Sequence, residues 1–131
     1  VKDSGIVLDP DTGVEWYRCA LGQRHTLRGC TGDALLVTYD EVDSMLAEIS
    51  VKAGQRWRLP TESEFLALKE PQCHVPAMNT NVFPNPLIDN FWVQGERERA
   101  NKACAVYTYN LGRSCRLLGN DPRPFYMVKG G

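Results

Sequence analysis

Glu62 and Glu64 stand beside Arg56 and Arg58 in the stretch GQRWRLPTESEFLAL, Gly54 to Leu68, and these residue types can move protons or hold anions. A carboxylate becomes a general acid or base when burial or a neighbouring like charge moves its pKa toward neutrality. Here the local pattern gives both glutamates a structural duty. Thr61 and Glu64 have capping-box spacing, in which the hydroxyl takes one orphan backbone N–H and the carboxylate reaches back to the cap. Glu62 falls in the first helical turn, where the helix dipole favours an acid. Pro60 pushes Leu59 toward an extended conformation, so RWRLP is an extended lead into a helix, with Trp57 and Leu59 in the core. No nucleophile with a general base and no phosphate loop accompanies them. The expectation is a protein that is not an enzyme and that needs no cofactor and no metal.

Five cysteines, Cys19, Cys30, Cys73, Cys104 and Cys115, carry the next chemistry. No pair is spaced C-x-x-C, and His25 and His74 do not complete a zinc-type set with them. Disulfides explain them better, and disulfides belong to an extracytoplasmic setting: periplasmic, secreted or cell surface. Cys19 and Cys30 flank a polar segment with two glycines, and closing that loop contributes roughly 3 kcal/mol. In a hairpin around Asn110, Leu111 and Gly112 the registers of Cys104 and Cys115 are offset, so the second bridge is expected from Cys73 to Cys104. An odd count leaves at least one thiol unpaired within the chain.

Recognition chemistry concentrates further along. Glu70 to Asn90 carries four prolines and four asparagines with no useful helical or strand period, which makes it a long ordered surface loop with apolar residues to dock it. Asn79, Asn81 and Asn85 offer amides as adaptable donors and acceptors, Phe83 an apolar anchor, and Arg97 and Arg99 planar donors for carboxylate or sulfate. These are the expected ligand-binding residues. The loop's Asn and Asp oxygens are of the kind that bind calcium, but turn formation and backbone capping account for them more simply.

The elements that must position these side chains follow from spacing. Asp9 to Gly13 is a turn between two apolar runs, GIVL and VEWY, giving a hairpin. Val42, Met45, Leu46 and Ile49 lie on one face of a helix that begins at a second capping box, Thr38 with Glu41. A second helix is expected over ESEFLALKE, Glu62 to Glu70. After the loop, FWVQG, ACAVYTYN, RSCRLLG and PFYMVK are short β-rich runs of an antiparallel sheet. At 131 residues the chain forms one domain, residues 1–131. The net charge of −1 argues against nucleic acid, and no apolar run is long enough for a membrane span.

Read in order, LDPDTGVEWYRCALGQ, CTGDAL, TYDEVD, WRLPTESEF, PAMNTNVFPN, FW and PFYMVK resemble the bacterial Lcl C-terminal domain family across nearly the whole chain. WRLPT followed by a helix, after a D-x-x-T-G-x-x-W hairpin, is the most specific part. The resemblance implies an α+β, C-type-lectin-like fold related to that of sulfatase-modifying factors, with two helices packed on short antiparallel strands and a long ordered loop. The sugar-calcium triplets of lectins are missing, and no motif matches the cysteine chemistry of formylglycine-generating enzymes. The function implied is a non-catalytic extracytoplasmic recognition module that binds a protein or glycan ligand through the long loop and sheet edge, as in adhesion. The alternative is a small inhibitor or immunity-type protein that neutralises an exported toxin or enzyme.

Overall fold

Two turns set the frame of the chain. In the first, Asp9 accepts the Asp11 N–H at 3.0 Å and the Thr12 hydroxyl at 3.1 Å, and Gly13 takes a φ of 75°. That geometry closes the predicted hairpin. In the second, Gly54 at φ 69° ends the first helix in the left-handed cap that glycine adopts without strain. The computed structural model describes residues 5–26, 29–68, 83, 87–94, 103–109, 111–117 and 122–130, with backbone alone for 103 and 113–117. Its elements run β1 (Ile6–Asp9), β2 (Val14–Tyr17), β3 (Arg24–Thr26), β4 (Gly29–Thr31), α1 (Tyr39–Ala53), α2 (Glu62–Leu66), β5 (Asn90–Val93), β6 (Ala103–Tyr107), β7 (Gly112–Leu117) and β8 (Val128–Gly130).

The architecture is α+β. The strands form small antiparallel sheets in the orders β1-β2-β8, β3-β4 and β5-β6-β7. Trp16 pairs with Val128, and Arg58 makes a bridge to the same residue, so the WRLP segment is tied to the edge of the first sheet. Both expected helices are present. Thr61 accepts the Glu64 N–H at 3.1 Å while Glu64 Oε1 takes the Thr61 N–H at 2.9 Å. At α1, Glu41 takes the Thr38 N–H at 2.9 Å. The second helix is shorter than its sequence pattern, ending at Leu66, because Phe65 is the only residue it buries and Leu66 is left exposed.

Strand alternation divides the interior into two cores. Phe91 and Val93 of β5, Cys104 and Val106 of β6, and Tyr126 and Val128 join one cluster; the residues between them, Trp92, Ala105, Phe125 and Met127, join the other. Successive side chains on extended backbone point to opposite faces, so this layer is apolar on both sides. Trp16, Phe65 and Phe83 cover the first face, and α1, through Val42 and Leu46, covers the second with Trp57 and Leu59. Trp57 and Leu59 are thus buried, as the sequence implies.

Cys19 and Cys30 form the expected disulfide, with Cα atoms 5.6 Å apart. Cys104 is disulfide-bonded as well; the expected partner Cys73 lies outside the described residues. The hairpin register bears on that second bridge. Pairs Tyr107 with Gly112, Val106 with Arg113 and Ala105 with Ser114 run without offset until an irregularity between Ala103 and Ala105. Cys104 lies at that irregularity, where it faces the two-residue stretch Cys115–Arg116 of β7.

Candidate functional site

Phe83 does not serve as an exposed anchor. It is 2% exposed and packs edge-on against Trp16 at 5.5 Å and Tyr126 at 5.3 Å between ring centroids. An aromatic side chain gains more from a cluster of rings than from water, so the ring turns inward and joins the first core. Asn79, Asn81, Asn85, Arg97 and Arg99 lie outside the described residues. The backbone on either side of them is well fixed. Thr108, fully buried, donates its hydroxyl to the Leu87 carbonyl and accepts the Asp89 N–H at 3.1 Å, while its own N–H reaches Asp89 O at 3.0 Å. Before the arginine-rich turn, Gln94 is held through its N–H to Pro60 O at 2.9 Å and its side-chain amide to Leu59 O at 3.0 Å. Phe91 and Trp92 are buried, and the Trp92 indole N–H donates to Val37 O at 2.8 Å.

Arg58 and Glu64 of the opening stretch are structural. Arg58 donates through both terminal nitrogens to Glu64 at 2.8 Å and also to Gly130 O at 2.9 Å. This forked pair joins α2 to the WRLP segment and β8. The Arg58 hydrogen bonds hold the Glu64 carboxyl below the usual carboxylate range, with the Thr61 N–H helping, against the desolvation that would raise it. A carboxylate so stabilised in its charged form is a poor proton carrier near neutral pH. Burial pushes the Tyr126 phenol up, with no charged group contributing. Among the described residues no group of His, Cys, Asp and Glu could hold a metal ion, and no helix is long and apolar enough to cross a membrane.

A groove that the sequence does not announce lies between α1 and the Arg56–Leu59 segment, with a volume of about 580 Å³. Tyr39, Asp43, Leu46 and Ser50 line it from one face of the helix, Arg56, Trp57 and Leu59 from the segment, and Gln94 from the strand end. Leu46, Trp57 and Leu59 are core residues that present only an edge, whereas Asp43, Arg56 and Gln94 are exposed. The two walls are locked together. Ser50 Oγ accepts the Trp57 N–H at 2.9 Å, and Lys129 Nζ lies 5.2 Å from the centre of the Trp57 ring. Periodicity shows which residues share the helix face, but the pairing of that face with a segment beyond Gly54 is a tertiary fact.

The model of the Lcl C-terminal domain family matches residues 5–123. No curated protein and no solved structure matches the chain.

Proposed function

The chain belongs to the Lcl C-terminal domain family, and from that premise we propose that it is a non-catalytic, extracytoplasmic recognition module with a C-type-lectin-like fold. It binds a protein or glycan ligand through the loop of residues 70–90, the turn that carries Arg97 and Arg99, and the adjoining sheet edge. The observation that carries this reading is the mounting of that surface. Phe83 and the Thr108 clamp tie the long loop to a frame closed by disulfides at Cys19–Cys30 and Cys104. Fixing the chain at Phe83 and at Leu87–Asp89 lowers the conformational entropy that binding there would cost. Disulfides of this kind persist in oxidising compartments, which supports work outside the cytoplasm.

The test is capture from a periplasmic or surface fraction, with the wild-type chain set against an Arg97→Ala, Arg99→Ala double variant. A polyanionic glycan should bind with steep salt dependence, because its charges and the arginines are screened; a protein partner should be less sensitive. In both cases the double variant should bind at least several-fold more weakly. Full capture by that variant would place the site elsewhere, and no specific capture at all would overturn the reading. A captured enzyme that stops turning over on binding would favour an inhibitor role.

A further inference from the structure

We propose that the groove between α1 and the Arg56–Leu59 segment is a peptide-binding site. It receives a short extended stretch of a partner protein that carries a basic side chain, an apolar side chain and an acidic side chain in that order along the groove. The proposal adds a second surface to the recognition reading, and its biological sense rests on that reading.

The geometry begins with the helix. Asp43 and Ser50 lie on one face of α1, two turns apart, which is about 10 Å at 1.5 Å per residue. Ser50 Oγ holds the Trp57 N–H, so Arg56, the preceding residue, enters the groove at the Ser50 end. An anionic group therefore marks one end and a cationic group the other. Among the described residues neither Asp43 nor Arg56 makes an ion pair, and both are exposed. Between them the floor is the edge of Leu46, Trp57 and Leu59. Gln94 turns its side-chain N–H inward to Leu59 O, which leaves its carbonyl oxygen to accept a backbone N–H from an incoming chain.

Charge complementarity selects the occupant. Extended chain rises about 3.3 Å per residue, so a separation of about 10 Å corresponds to roughly three residues, with long side chains taking up the difference. A basic group meets Asp43, an apolar side chain meets the floor, and an acidic group meets Arg56. A polyanionic glycan does not fit, because α1 places Asp40, Glu41, Asp43 and Glu48 along its length against a single Lys52. The volume lies in the range of sites that hold small ligands and short segments.

The experiment is selection of a phage-displayed random peptide library on the whole chain, followed by affinity measurement of the enriched synthetic peptide. The expected consensus has a basic and an acidic residue roughly three to four positions apart around an apolar one. Asp43→Lys and Arg56→Glu should each weaken that peptide roughly three- to tenfold, as expected for reversing one exposed ion pair. Exchanging the matching charge in the peptide should restore binding. Both positions are exposed, so the variants should keep the wild-type melting temperature. An enriched peptide indifferent to both reversals would overturn the site, as would a library that yields no such consensus. Either result leaves the loop-based reading standing, since that one is decided by capture and by the Arg97, Arg99 variant.

Discussion

Glu64 shows how a residue with catalytic credentials becomes architectural. Its carboxylate takes two hydrogen bonds from Arg58 and one from the Thr61 backbone, and its pKa falls below the ordinary value of 4.5. A depressed folded pKa means that the pair's stabilisation is present above the unfolded pKa and is lost as pH falls through the lower folded value. Wild-type stability should therefore be level near neutrality and decline below about pH 4.5. Glu64→Gln should be less stable at neutral pH by roughly 1–3 kcal/mol and should lose part of the acid-side decline, as urea melts across pH would show. Gly22 is another residue whose identity its surroundings dictate. It sits at φ 99°, and a Cβ there would lie 2.6 Å from the Leu35 backbone nitrogen. Gly22→Ala should cost roughly 1–3 kcal/mol through backbone strain and displacement of that neighbour, measured by thermal denaturation.

Among the elements, those set by local rules were legible: the Asp9–Gly13 hairpin, the capped helices, and the extended WRLP segment with Trp57 and Leu59 inward. Capping boxes and turn residues act within a few positions, so sequence spacing reports them directly. Phe83 was misread for the opposite reason. Nothing near it in the chain reveals that Trp16 and Tyr126, far away in sequence, form a slot for its ring. The same limit hid the groove and the irregularity of the β6-β7 ladder at Cys104. Trp57→Ala tests the WRLP element, since removing a buried indole should cost roughly 3–5 kcal/mol. Thr61→Ala should cost about 1 kcal/mol through loss of the cap. Peptide mapping under non-reducing conditions should recover Cys19 linked to Cys30 and a second bridge at Cys104, and should leave one thiol to alkylate. Finding all five thiols free would remove both bridges and the argument for an oxidising compartment.

At the scale of the whole molecule, the β5-β6 layer and the Phe125–Val128 segment bury opposite faces in two cores. Each buried residue there is felt on one side or the other. Ala105→Leu should therefore disturb the α1 side and leave the Trp16 side largely intact, which side-chain NMR shifts of the two aromatic groups would separate; overpacking of this kind costs roughly 1–3 kcal/mol. The pairing of Trp16 with Val128 has a consequence in time rather than in energy. The strand that completes the first sheet is made long after β1 and β2, which wait with an unsatisfied edge until it emerges from the ribosome. Closing so long a loop is slow compared with forming α1 or the first hairpin. Refolding with the disulfides intact should take milliseconds to seconds, and for that interval the waiting edge is what a chaperone would have to cover.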